Sequence, residues 1–172
     1  MLVLPGTTFD AVNFGESKGD IGNLVLRPVR NMAIGAIPVI NCAFQNCYAG
    51  AALRLISACT YVLVENCFFT GNGKATPTAG FECDNIYLGS CIGVKVVNNV
   101  MLSCTDTGTA CDNGTFIQIS NNFIDAGVAS QCVALAPSAS GSTNYVTVTD
   151  NIFYDSATAS ATIGVNVSDF AS

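Results

Sequence analysis

The stretch Val62–Phe69, VLVENCFF, decides the fold, because four further stretches repeat its pattern: IPVINCAF at 37–44, VKVVNNVM at 94–101, IQISNNFI at 117–124 and VTVTDNIF at 146–153. Position one is Ile37, Val62, Val94, Ile117 and Val146, and position three is Val39, Val64, Val96, Ile119 and Val148. A β-branched residue at both places in every copy is a period-two strand signal. Position five is Asn41, Asn66, Asn98, Asn121 and Asp150, followed by Cys42, Cys67, Asn99, Asn122 and Asn151. A short polar pair directly after a strand marks a bend.

Successive copies start 25, 32, 23 and 29 residues apart, the spacing expected when each repeat is one turn of a solenoid. The uneven period points to a wide β-coil, in which stacked strands keep register while loops of different length leave the corners. Composition agrees. The chain has 172 residues, half of them apolar, with 16 Gly, 10% charged residues and neither Trp nor His. Gly, Ser, Thr and Asn cluster between the apolar phrases as turn punctuation, and helical periodicity is scarce. The expected class is all-β, one domain.

Residues 1–35 hold two strand-like fragments, FDAVNF and NLVLRPV, that do not match the phrase, and the segment reads as an N-terminal cap or attachment piece ahead of a coil over 36–172. Second strands complete each turn at ALRLIS (52–57), NIYLGS (85–90), CVALAP (132–137) and TIGVNVS (162–168). The stretches 70–84 and 137–144 are expected to protrude as loops.

Nine cysteines and a start (1–10) without a basic, hydrophobic leader favour reduced, buried thiols over a secreted disulfide scaffold. Cys42 and Cys67 share a repeat position, and Cys59 and Cys91 each lie three residues before a phrase. Both pairs are therefore expected to stack in adjacent turns. No paired Cys-x-x-Cys motif and no histidine completes a zinc site, so no metal or other cofactor is expected. The six basic residues are scattered in a chain of net charge -6, which argues against a nucleic-acid partner. No apolar run approaches a membrane span.

These phrases resemble the right-handed parallel β-helix of the pectin-lyase-like class, which also forms the bodies of bacteriophage tailspikes and of some phage head-surface proteins. The resemblance covers 37–153 and implies about five to six turns. It also implies a bend ladder of stacked side-chain amides, matched here by Asn41, Asn66, Asn98, Asn121 and Asp150. Phe44, Phe69, Met101, Ile124 and Phe153 would form one core column.

Enzymes of that class cluster carboxylates with a basic residue or project several aspartates from adjacent turns. Here the nearest approach is Glu82 and Asp84 in one loop with Asp106 and Asp112 in the next. Acids in loops are ordinarily solvated, and no catalytic role is expected. About five turns at about 4.8 Å each make a short stack, whose open edges and low charge favour partners. Ile40 and Leu63 occupy outward positions where alternation calls for polar residues, which makes them candidate interface residues.

The class then implies a homotrimer packed side by side. Together these features lead to an expected function as a trimeric capsid cement or decoration protein. It would stabilise a phage head shell, contact the major capsid protein or other virion proteins, and assemble in the host cytoplasm. The alternative is a polysaccharide-binding or polysaccharide-cleaving tailspike piece, or a secreted glycan lyase or hydrolase, with Tyr48, Tyr61, Tyr87, Tyr145 and Tyr154 as sugar platforms. Ice binding fails, because position two reads Pro38, Leu63, Lys95, Gln118 and Thr147, which is no threonine array.

Overall fold

Each eight-residue phrase is two short strands with a sharp bend between them. In the computed structural model, Ile37–Ile40 (β4) and Ala43–Gln45 (β5) come from one phrase, and Val62–Glu65 (β7) and Phe68–Thr70 (β8) from the next. The later phrases give Lys95–Val97 (β10) with Val100–Cys104 (β11), Thr115–Ser120 (β13) with Phe123–Gly127 (β14), and Asn144–Thr149 (β16) with Ile152–Tyr154 (β17). A third strand closes each coil: Leu53–Leu55 (β6), Ile86–Gly89 (β9), Thr107–Asp112 (β12), Gln131–Ala136 (β15) and Ile163–Val167 (β18). The structure describes residues 9–10, 13–14, 24–26, 37–47, 51–56, 59–72, 84–104, 106–127, 131–136, 143–154, 156 and 163–167. Every element among them is a strand.

The segment 1–35, set apart above as a cap, supplies Phe9–Asp10 (β1), Asn13–Phe14 (β2) and Leu24–Leu26 (β3). These pair in parallel with β4, β5 and β6. The result is a parallel β-solenoid with three six-stranded sheets, β1-β4-β7-β10-β13-β16, β2-β5-β8-β11-β14-β17 and β3-β6-β9-β12-β15-β18. Most of the two segments read as protruding loops, 73–83 and 137–142, lies outside the described residues.

Register turns each repeat position into a column. In the first sheet Val39, Val64, Val96, Ile119 and Val148 stand one on the next, the first four buried. In the second sheet the column is Phe44, Phe69, Met101, Ile124 and Phe153, with the Phe44 and Phe69 rings 4.7 Å apart and 4° from parallel. The third sheet adds Leu53, Ile86, Thr109, Val133 and Val165. The Thr109 hydroxyl is fully buried and donates to the Met101 sulfur at 3.5 Å, which satisfies a polar group inside an apolar column.

Candidate functional surface

The bends decide which side chains reach the core and which reach solvent. At the first bend the position-five residue has a left-handed backbone: φ is 54° at Asn41, 53° at Asn66, 58° at Asn98, 56° at Asn121 and 57° at Asp150. Asn and Asp tolerate that conformation better than other residues with a Cβ. It turns the chain so that the following residue, not the asparagine itself, points inward. The amide ladder expected at position five is therefore displaced by one. Asn41, Asn66, Asn98, Asn121 and Asp150 stack from coil to coil on the outside of the bend, all exposed, and the Asn98 amide bonds Glu65 at the surface at 3.2 Å.

The internal ladder runs through the next position. Asn99 and Asn122 are buried. The Asn99 backbone N–H and Nδ2 both donate to Asn122 Oδ1 at 2.9 and 3.0 Å, and those of Asn122 donate to Asn151 Oδ1, each at 2.9 Å. Each Nδ2 also donates to a carbonyl of the coil before: Asn99 to Val64, Asn122 to Val96 and Asn151 to Ile119, at 2.9 to 3.1 Å.

The cysteines fill the same kind of slot. Cys67 receives its place in the ladder through its N–H, which bonds Asn99 Oδ1 at 2.9 Å, while its thiol donates to Val39 O at 3.4 Å as an amide would. Cys91 likewise donates to Leu55 O at 3.3 Å. At the second bend Cys47 N–H bonds Asn72 Oδ1, and Asn72 Nδ2 donates to Phe44 O. Cys42, Cys47, Cys59, Cys67, Cys91, Cys111 and Cys132 are all buried. Burial pushes the Cys67 and Cys111 thiols up to about 12. A hydrogen bond from Cys91 lowers Cys59, and the same contact, with burial, raises Cys91. These thiols are inward packing groups, and burial favours the protonated form of Cys67, Cys91 and Cys111.

Of the described acidic candidates, Asp84 and Asp106 come to the same corner of neighbouring coils, whereas Asp112 does not. Asp84 is buried just before β9, and Asp106 lies just before β12 on the next coil. Asp112 lies at the far end of β12, where Tyr87 Oη donates to it at 3.1 Å and burial raises its carboxyl. Glu82 lies outside the described residues. Among the described residues no group of three or more His, Cys, Asp or Glu side chains could hold a metal ion.

Two features remain on the outer surface. The first is a strip along the second sheet, where Ala43, Phe68, Val100, Phe123 and Ile152 lie in one register column. Phe68, Val100 and Ile152 are exposed, and the Phe123 ring stacks on Tyr154 in the neighbouring column, with centroids 6.3 Å apart. Four coil steps at about 4.8 Å make this strip about 19 Å long. Ile40 and Leu63, the residues expected at an interface, are half-buried on the first sheet. Their columns include Glu65 and Lys95, so the continuous apolar strip belongs to the second sheet. Sequence reasoning missed it, although position seven of the phrase is apolar in all five copies.

No family model, curated protein or solved structure matches this chain. Its surface must be read on its own chemistry.

The second feature stands at the corner that leads into the first sheet. The residue just before each of the last four phrases is Tyr61, Gly93, Phe116 and Tyr145, with φ of 56°, 70°, 57° and 54°. The bridges Thr60–Ile92 and Ile92–Thr115 carry the register from coil to coil. Tyr61, Phe116 and Tyr145 are 64%, 60% and 75% exposed. Phe116 and Tyr145 stack with centroids 5.0 Å apart and planes 11° from parallel. A side chain at Gly93 would meet the Tyr61 ring at 2.8 Å, so that ring leans over the glycine. Beside the rings runs the polar column Lys95, Gln118 and Thr147, and the two columns line a groove of about 360 Å³.

Of the tyrosines proposed as sugar platforms, only Tyr61 and Tyr145 meet in this column. Tyr87 packs under Arg54, whose guanidinium lies 5.0 Å from the ring centroid. Tyr154 belongs to the second-sheet strip, and Tyr48 lies outside the described residues. Phe116 was legible only by its place directly before a phrase, the place Tyr61 and Tyr145 also hold.

Proposed function

We propose that this chain is a structural protein of a virus surface: a parallel β-helix of the pectin-lyase-like kind that packs side by side as a homotrimer and reinforces a bacteriophage head shell as a cement or decoration protein. One observation carries the reading, the apolar strip Phe68, Val100, Phe123 and Ile152 along the outside of the second sheet. A rigid solenoid that shows one continuous lateral apolar strip is suited to burying it against equivalent strips about a three-fold axis. Parallel stacking gives such a trimer a stiff body, since every coil bonds its neighbours through three sheets. The remaining outer faces and the coil ends are then left to meet the shell.

The experiment adds the purified protein to empty shells of the encoding virus that lack it. The reading expects saturable cosedimentation in multiples of three copies and a higher temperature of shell disruption. Failure to cosediment, with the trimer intact, would refute the cement role.

A further inference from the structure

We propose that the corner groove along Tyr61, Gly93, Phe116 and Tyr145 is a docking site for a proline-rich segment of a partner protein, held as a polyproline II helix and carrying an acidic residue among its prolines. The backbone makes the first argument. Elsewhere among the described residues, left-handed positions are filled by small residues: asparagine, Asp150, Ser90, Ser103 or glycine. Glycine evades the penalty of that conformation, and short polar side chains ease it. Only this column places aromatic side chains there, and Tyr61, Phe116 and Tyr145 all leave their rings mostly in solvent. Bulky residues held in an unfavourable conformation without core burial point to a use for the rings themselves. The groove opens beside the first sheet, so the proposal stands apart from the second-sheet strip and the trimer.

Spacing, hydrogen bonding and charge identify the partner. The bridges place Tyr61, Gly93 and Phe116 on successive coils, so two coil steps, about 9.6 Å, separate Tyr61 from Phe116. A polyproline II helix turns once in three residues and about 9.3 Å, which sets residues i and i+3 of one face against both rings at once. An extended strand repeats its face every 6.8 Å or so and would meet one ring at a time. Gly93 leaves a break between the rings, into which Tyr61 leans, while Tyr145 backs Phe116 at 5.0 Å. Aromatic side chains that line a groove are surfaces on which proline-rich segments dock. Such a segment carries carbonyl acceptors but few N–H donors. The adjoining column supplies donors: the Lys95 ammonium, the Thr147 hydroxyl and the Gln118 amide, one of whose two hydrogens serves Ser120 Oγ at 3.0 Å. Lys95 is the one charged side chain lining the groove, so its complement is a carboxylate among the prolines.

The test exploits the backbone. Tyr61→Asn and Phe116→Asn remove a ring while installing a residue that left-handed bends tolerate. The probes are an end-blocked run of ten prolines interrupted at its centre by aspartate, the same peptide with lysine there, a glycine–serine peptide of equal length with the same aspartate, and maltohexaose. Each is titrated calorimetrically into the wild type and the variants, alongside thermal melts and native mass. The aspartate proline peptide should bind at least tenfold more tightly than the lysine and glycine–serine peptides. Each ring variant should lose at least tenfold, with a melting temperature unchanged or higher. Gly93→Asn, whose Cβ would meet the Tyr61 ring at 2.8 Å, should cost as much affinity, and Lys95→Glu should reverse the preference toward the lysine peptide. Any of four results overturns the proposal: neither proline peptide binds, the lysine peptide binds as well as the aspartate one, the glycine–serine peptide binds equally, or the ring variants bind normally. Binding of maltohexaose without the proline peptides would give the groove to sugars instead. A clear fall in melting temperature in both ring variants would assign the rings to packing and also overturn it. So would a change of native mass in those variants without peptide binding, which would assign the column to a contact between copies of the chain.

Discussion

Replacing Asn122 with Leu tests the displaced ladder. Asn122 Oδ1 accepts from both the backbone N–H and Nδ2 of Asn99, while its own Nδ2 serves Val96 O and Asn151 Oδ1. Leucine is close in size but ends all four bonds. The Asn99 N–H and its side-chain amide then lose an acceptor, and Val96 O loses a donor, in a site where Asn99 and Val96 are buried. The Asn99 amide keeps Val64 O, so two groups are stranded, and at about 1–3 kcal/mol each the variant should lose about 2–6 kcal/mol. For a chain of this length each kcal/mol lowers the melting temperature by about 2–4 °C, which places the expected drop at about 4–24 °C. Asn121→Leu is the control. Its side chain is exposed, and the change puts a branched residue at φ 56°, at a cost of about 1–2 kcal/mol. Urea unfolding of both variants, followed by circular dichroism, gives the comparison. A loss at Asn121 equal to or larger than that at Asn122 would refute the reasoning, because it would return the ladder to the outer position.

Two further predictions concern titration. Cys67 and Cys111 are raised from an ordinary value of 9.0 to about 12, so the folded state keeps their protons at a pH where the unfolded state releases them. Their contribution is complete below pH 9 and is lost as pH rises from 9 to about 12; the urea midpoint should fall over that range, and a Cys67→Ala, Cys111→Ala variant should show a shallower fall. At pH 8 iodoacetamide should leave both thiols unmodified until urea unfolds the chain, as mass spectrometry will read. Asp112 is also raised, by burial, so its proton favours the folded state below pH 3.8 and that benefit disappears as pH climbs through the folded value. Asp112→Asn, which keeps an acceptor for Tyr87, should raise the urea midpoint at pH 7 and change it little at pH 3.

Strand positions and core columns were legible because they rest on simple alternation. A β-branched residue at positions one and three can only face one way, and Phe44, Phe69 and Met101 follow in the same phase after the bend. The ladder was misplaced by one residue because asparagine suits both jobs, tolerating a left-handed backbone and bridging coils through its amide. In Asn98–Asn99 and Asn121–Asn122 the two roles sit side by side. Cys42 and Cys67 were the distinguishing signal, since a thiol at position six belongs inside. The third strand of the fourth coil, TGTACD, escaped notice because small and polar residues replace the usual large apolar ones. A Cβ at Gly108 would meet Cys132 O at 2.5 Å and Ile124 Cγ2 at 2.6 Å, so close packing rather than propensity sets that strand. The outer apolar strip and the ring column depend on stacking residues from coils 23 to 32 residues apart, and that juxtaposition emerges only once register is fixed.

The most direct test of the proposed assembly is the native mass by multi-angle light scattering of the wild type beside a Val100→Asp, Phe123→Asp variant. Both positions face outward on the second sheet, so the charges leave the folded coil intact and strike only a lateral contact. A wild-type mass of about 53 kDa, three chains of 17.8 kDa, that falls to the single-chain value in the variant is the result the account predicts. A wild type that runs as a single chain, or a variant that stays trimeric, would contradict it.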